Sequence, residues 1–219
     1  MQNEFPGTQK PAAKDKVFAI LMAAGLSKRF GGANKLLAQF KGRPLVEYTL
    51  DLVCSLGDCL DGIFFVYTDE RAAVIARNAA MTRNTAVPAP PEITLIHNAA
   101  PEKGQRESVR LGVEAADAAP GDFFLFMPCD QPLLDADTVR AIIAGREKGR
   151  IVEPRHEGKP GSPCLFSGVF RDELLTLKDG EQPRVIKARH PQAVFPVTVA
   201  NPLALLDIDD TETLRRLEF

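Results

Sequence analysis

A single α/β domain, on a mainly parallel, Rossmann-like sheet with helices on both faces, is the architecture this sequence predicts. Three observations carry it. Short, almost uninterrupted apolar runs at 17–22, 63–67 and 123–127 read as strands buried on both faces. Between such runs lie stretches with apolar residues at helical spacing, such as Leu45, Tyr48, Leu52 and Leu56. Strands alternating with helices return to one sheet through crossovers. Finally, 219 residues suit one core, and neither an internal repeat nor a linker divides them.

Residues 1–15 are polar, with Pro6, Gly7 and Pro11, and read as a mobile N-terminal tail lacking the apolar core of a signal peptide. The domain is expected to span 16–219. Pro44 suits the first position of a helix over 44–56. Gly62 leads into the strand 63–67, and a helix follows over about 70–80. Pro88, Pro90 and Pro91 make 81–91 a loop before a short strand at 93–97. Gly104 leads into a helix reaching about Ala119. The strand 123–127 stops at Pro128-Cys129-Asp130-Gln131-Pro132. A helix is expected over 135–148 with Gly149 as its stop, then strands at 151–154 and 164–166 around a polar, Gly-rich stretch. Helices at 168–177 and 183–189, a strand at 193–199, an extended lead through 203–208 and a last helix at 211–217 complete the chain.

Composition narrows the function. Lys+Arg 27 against Asp+Glu 29 leaves a net charge of −2, too balanced for bulk nucleic-acid or membrane binding. Cys54, Cys59, Cys129 and Cys164 form no C-x-x-C pair, so the reading is reduced thiols in the cytoplasm rather than a disulfide framework or zinc site. No apolar run reaches the ~20 residues of a membrane helix.

The informative stretch is Lys16 to Lys35. An apolar strand breaks at Ala23-Ala24-Gly25, followed by Leu26 and Ser27. Two cations, Arg29 and Lys35, flank Gly31 and Gly32. Small residues let backbone amides approach a ligand, and amides beside fixed cations suit a polyphosphate. Both cations are expected to face solvent or ligand. The stretch is neither a P-loop nor a G-x-G-x-x-G fingerprint, and a plain turn between strand and helix is the competing reading.

Two acidic sites follow. Asp130 sits between prolines at the mouth of an apolar strand, where an unpaired carboxylate is a poor core residue and a candidate Mg²⁺ ligand. Asp207-Ile208-Asp209-Asp210 offers a second carboxylate, Asp207 in the first instance and Asp209 as its alternate. Asp209 or Asp210 could instead cap the last helix. Gly104 and Ser108 open the central helix, where free amides and a hydroxyl suit a base or phosphate, or ordinary capping. His97, His156 and His190 are scattered and read as structural.

Leu21-Met22-Ala23-Ala24-Gly25-Leu26-Ser27-Lys28-Arg29-Phe30-Gly31, Asn34-Lys35-Leu36-Leu37 and Gly42-Arg43-Pro44-Leu45 together resemble the opening signature of the MobA-like nucleotidyltransferases. Within them the chain is most similar to the molybdenum cofactor cytidylyltransferases. The resemblance implies the nucleotide-diphospho-sugar transferase type of fold. It also implies Mg²⁺-dependent transfer of CMP from CTP to the phosphate of molybdopterin, with a molybdoenzyme as the recipient partner. By the same resemblance, residues 23–27, Arg29, Lys35, Gly104 and Ser108 hold the nucleotide, Arg29, Lys35 and Asp130 act in catalysis, and Asp130 with Asp207 holds the metal. Gly104, Ser108, Val109 and Gly112 match the family's G-x-x-x-S-[LV]-x-x-G, and Gly158 to Pro163 its acceptor-side segment. Ala23-Ala24-Gly25 is the cytidylyl form of a loop that reads Ala-Gly-Gly in guanylyl-transferring members. Asp179 to Arg184 departs from the family's G-D-x-G-x-R run, and Arg106 is closer to the isoprenoid-pathway cytidylyltransferases. Those enzymes, a sugar-phosphate or guanylyl transferase, and a non-catalytic nucleotide-binding accessory of a molybdoenzyme are the alternatives.

Overall fold

The computed structural model describes residues 15–27, 30, 34–83 and 91–218. Residues 1–14 of the expected tail, and Arg29, Gly31 and Gly32 of the loop, lie outside them. No described helix is long and apolar enough to cross a membrane.

The first strand, β1 (Val17–Ala23), is the centre of the molecule. Its alternate side chains feed two cores, as the two-residue period of a strand requires. Val17, Ala19, Leu21 and Ala23 face one helical layer, made by α1 (Leu45–Ser55), α2 (Glu70–Arg83) and α4 (Ala136–Ala144). Phe18 and Ile20 face the other, made by α3 (Gln105–Ala116), α5 (Arg171–Leu175) and α6 (Arg184–Arg189). β1 pairs in parallel with β4 (Gly62–Tyr67) on one side and β6 (Phe123–Pro128) on the other, and β5 (Ile93–His97) extends the sheet beyond β4. The register sets Met22 level with Val66 and Pro128, so the loops leaving β1 and β6 emerge side by side.

Beyond β6 the sheet continues with β9 (Cys164–Ser167), β7 (Ile151–His156) and β10 (Val194–Thr198). β9 runs antiparallel to both β6 and β7, and β7 turns back through the short β8 (Lys159–Pro160). The sheet is therefore mixed but mostly parallel, in a single domain.

Several boundaries differ from expectation. A hairpin of β2 (Gln39–Phe40) and β3 (Arg43–Pro44) had no sequence signal beyond its Lys41-Gly42 turn, where both residues take positive φ as a two-residue hairpin turn demands. Pro44 is extended and precedes α1 instead of starting it. α4 ends at Ala144, because the Gly145 N–H closes its last turn onto Ala141 and Ile142. Gly149, expected as that stop, turns the chain into β7 and donates its N–H to Ser167 Oγ at 3.0 Å. The helix expected at 168–177 is a 3-10 turn followed by the short α5.

The lead through 203–208 is extended only in its second half. It is a 3-10 turn at Pro202–Leu205 followed by extended chain that docks on the β6 loop, where the Ile208 N–H donates to the Asp130 carbonyl at 2.9 Å. Ile208, together with Leu214 of α7 (Thr211–Glu218), packs into a separate small core with Phe30, Phe40 and Leu45. The β2–β3 hairpin thus anchors the C-terminal segment over the ends of the strands.

Candidate active site

At the carboxyl end of β1 the backbone turns on Ser27, whose φ of 48° lies in the left-handed region. Two hydrogen bonds hold that turn: Ser27 Oγ accepts the Lys35 N–H at 3.0 Å, and the Ser27 carbonyl accepts the Phe30 N–H at 2.8 Å. Asn34 then caps the 3-10 turn of Lys35–Leu37 through the Leu36 N–H and donates to Asp69 at 3.2 Å. Hydrogen bonds from Arg71, then from Asn34, hold the Asp69 carboxyl down at about 2. The loop leaves Ser27 and Lys35 pointing into a cleft of about 820 Å³.

Ala24, Gly25, Leu26, Ser27, Lys35, Gly104, Ser108, Asp207 and Asp209 line that cleft, so most of the residues singled out in the sequence meet there. Nothing lies within 4 Å of a Cβ built on Gly25, which leaves the backbone amides of the loop open to a ligand. Ala23 and Asp130 do not line it: Ala23 is buried in the core, and Asp130 is covered by its ion pair with Lys35, which does line the cleft. Gln182 and Arg184, from the run that departs from the family's G-D-x-G-x-R pattern, line it as well.

Lys35 is the electrostatic hub. Its Nζ ion-pairs with Asp130 and lies 3.1 Å from Asp209 Oδ1. Lys35 lines the cleft, yet its side chain is only 17% exposed and Asp130's 13%, so it also serves as an internal counter-charge. Burial would lower the ammonium pKa, but Asp130 and then Asp209 more than offset it, so the net direction is upward. Asp207 opens onto the cleft and accepts a hydrogen bond from Gln131 Nε2 at 2.9 Å. Crowding by the cleft walls, then the neighbouring Asp130 charge, raises its carboxyl to about 6, with Gln131 and Lys35 pulling the other way.

Asp130 and Asp207 do approach each other, although 207 − 130 = 77 positions separate them in sequence. The cause is the backbone bond from Ile208 to Asp130, which no sequence motif announces. Among the described residues, no group of three or more His, Cys, Asp or Glu side chains forms an all-protein metal cage. Asp130 Oδ1, however, is a buried carboxylate oxygen with no hydrogen-bond partner. An orphaned carboxylate oxygen beside a second carboxylate fits a hard cation that keeps several waters and takes further oxygens from substrate, as Mg²⁺ does.

On the opposite wall, Gly104 at φ +80° starts α3, and Ser108 lies one turn in. The fully buried Asn98 donates from Nδ2 to Ser108 Oγ at 3.0 Å, while its Oδ1 accepts the Ala100 N–H at 2.9 Å. Asn98 thereby fills one acceptor position of the serine and leaves its hydroxyl proton available to a ligand. Gly112, the last glycine of this motif, has a packing role: a Cβ there would come within 2.4 Å of Ile20 Cγ2. α3 lies that close to β1.

The cleft joins backbone amides, a lysine, a serine and two facing carboxylates at the carboxyl ends of parallel strands, where open α/β sheets bind ligands. The family model for the MobA-like NTP transferase domain matches residues 19–194. A molybdenum cofactor guanylyltransferase from Shewanella sediminis is 22% identical, covering 92% of this chain and 95% of that protein. A nicotine blue oxidoreductase from Paenarthrobacter nicotinovorans is 25% identical, covering 92% and 96%. In three dimensions a nucleotidyl transferase from Methanothermobacter superposes with a TM-score of 0.72 at 21% identity, over 93% of this chain and 96% of that one. The chain belongs to the MobA-like NTP transferase family and is a nucleotidyltransferase of the nucleotide-diphospho-sugar transferase fold.

Proposed function

We propose that this protein transfers CMP from CTP to the phosphate of a molybdopterin-type acceptor and releases pyrophosphate. The observation that supports this reading best is the pairing of Lys35 with Asp130 and Asp209 beside the open amides of residues 24–27. A chain carrying these groups can hold a triphosphate against two carboxylates, which is the main demand of phosphoryl-group chemistry.

In this mechanism an oxygen of the acceptor phosphate bonds to the α-phosphorus of CTP. The bond from that phosphorus to the bridging oxygen breaks in line, and pyrophosphate leaves with the electron pair. The acceptor phosphate is already ionised, so the chain needs no strong general base. The amides of 24–27, with Arg29 and Lys35, hold the triphosphate and stabilise charge on the leaving pyrophosphate. Ser108, oriented by Asn98, hydrogen-bonds the base or ribose side of the nucleotide. Asp130 and Asp207 would hold Mg²⁺, with Asp209 as the alternate second ligand, and the ion would neutralise phosphate charge there. The four free thiols suit a reducing cytoplasm, and a molybdoenzyme is the natural recipient of the product.

The choice of base rests on Ala24, which lines the cleft where guanylyl-transferring members have glycine and so narrows the pocket for a purine. A guanylyl reading is favoured by the names of several curated relatives. Pyrophosphate release with each of the four NTPs, with and without molybdenum cofactor, separates the two. CTP with the cofactor should give the highest kcat/KM. Equal or greater kcat/KM for GTP would overturn the cytidylyl assignment, and no release with any NTP would overturn the catalytic one.

A further inference from the structure

Asp207 reaches the cleft on a segment outside the sheet. Residues 206–209 are extended chain that belongs to no strand and no helix. A side chain on such a segment keeps its rotational freedom unless a neighbour holds it. Asp130 needs no such help, because it directly follows β6.

The residue after Asp130 supplies the hold. Gln131 is 3% exposed. Its Nε2 donates to Asp207 Oδ1 at 2.9 Å and to the Leu205 carbonyl at 3.3 Å. The Ile208 N–H donates back to the Asp130 carbonyl at 2.9 Å. Residues 130 and 131 therefore grip the segment by three hydrogen bonds, with Asp207 inside the grip. Both partners of Nε2 are acceptors, so a flipped amide would set oxygen against oxygen, and the network fixes which end is nitrogen.

The other end of the same amide is stranded: Gln131 Oε1 is buried without a hydrogen-bond partner. A half-satisfied buried amide is a poor stabiliser, since an apolar side chain of similar volume would leave no oxygen unpaired. Packing therefore does not account for a glutamine here, whereas the contact with Asp207 does. With Oδ1 taken by Gln131, Oδ2 is the oxygen that Asp207 has left for the cleft it lines. Asp130 likewise keeps Oδ1 without a hydrogen-bond partner.

From this geometry we infer that Gln131 is a positioning residue for the cation site: it takes up one oxygen of Asp207 and leaves the other for the cation that Asp207 would share with Asp130. Gln131 acts through Asp207 and touches no substrate. The inference rests on the nucleotidyl-transfer reading for the purpose of that cation.

The probe is Mn²⁺, which takes the same oxygen ligands as Mg²⁺ and is counted as free ion by EPR. It is titrated into the full-length protein without nucleotide. Gln131→Met fills the same space without the donor and should weaken Mn²⁺ at least about tenfold, the usual loss when a group that holds a metal ligand is removed. Asp207→Asn should weaken it too. Adding Gln131→Met to Asp207→Asn should then cost less than about twofold more, because no carboxylate is left to position. A Gln131→Met protein with wild-type Mn²⁺ affinity, whatever its Tm, would overturn the inference, as would equal losses in both backgrounds. One measurement needs no variant: Mg²⁺ should shift the Gln131 side-chain amide signals in NMR spectra of the wild-type protein, and unmoved signals would also overturn it. Wild-type protein that binds no Mn²⁺ would remove the cation site and the inference with it. The titration needs neither nucleotide nor turnover, so its failure is distinct from a failure of pyrophosphate release.

Discussion

Replacing Lys35 with methionine separates the two jobs of this side chain. Without a nucleotide it neutralises Asp130 and Asp209, and with one it is proposed to hold phosphate. Breaking a fully buried ion pair by removing one partner costs about 3–5 kcal/mol, and breaking an exposed one about 0–1 kcal/mol. At 17% and 13% exposure the Lys35–Asp130 pair lies between these limits. A loss of about 2 kcal/mol follows, which for a chain of this size is roughly 4–8 °C in Tm. Methionine keeps the length and apolar stem, so packing loss adds little. The decisive measurement is the melt with and without Mg²⁺. In wild type a bound Mg²⁺ would have to compete with the Lys35 ammonium for Asp130. In Lys35→Met the same carboxylates face each other without a counter-charge. Mg²⁺ should therefore raise the Tm of the variant more than that of wild type, although activity falls by roughly 10²–10³. If Mg²⁺ shifts both proteins equally, Asp130 and Asp207 do not share a cation, and the reasoning fails at its centre.

The remaining expectations follow from the same geometry. Asp130→Asn should lower pyrophosphate release by at least about 10². It should also lower the metal-free Tm, because its loss leaves Lys35 with Asp209 alone, and an unchanged or higher Tm would mean that the Lys35 pair contributes nothing. Asp207, with its carboxyl raised to about 6, binds a proton more tightly folded than unfolded, so metal-free stability should fall as pH rises from about 4 through about 6. Exposure to the cleft makes that effect small, and Asp207→Asn should flatten the wild-type slope in this window; parallel curves would show that the carboxylate is not perturbed. Gly112→Ala should destabilise by about 1–3 kcal/mol, because its methyl would meet Ile20 at 2.4 Å and both sit in a packed core. Melts of Gly112→Ala, Ile20→Ala and the double variant test this as a cycle: the double loss should be smaller than the sum of the two single losses, and additive losses would rule out the clash as the cause.

Much of the fold was legible in the sequence because its central strands are buried on both faces. Val17–Ala23 and Phe123–Pro128 carry apolar side chains toward two helical layers, so the chain must write them as unbroken apolar runs, and such runs are hard to misread. The small-residue loop after β1 stood out for a related reason, since a backbone left open to a ligand excludes bulky residues locally in sequence. Lys35, Asp130, Ser108 and Asp207 could be named one by one, but not how they pair. The meeting of Asp207 with Asp130 depends on the Ile208 backbone bond and on a small core of Phe30, Phe40, Leu45 and Leu214, drawn from both ends of the chain. Asn98 behind Ser108 and Glu153 beneath Lys187 carry no periodic or motif signal, because a polar residue reads the same in sequence whether it is solvated or holding a neighbour in place. The long buried strands, the small-residue loop and the side-chain chemistry at the strand ends can all be read from local residue patterns. Which charges face one another cannot, because that depends on contacts between segments distant in the chain, where local spacing carries no information.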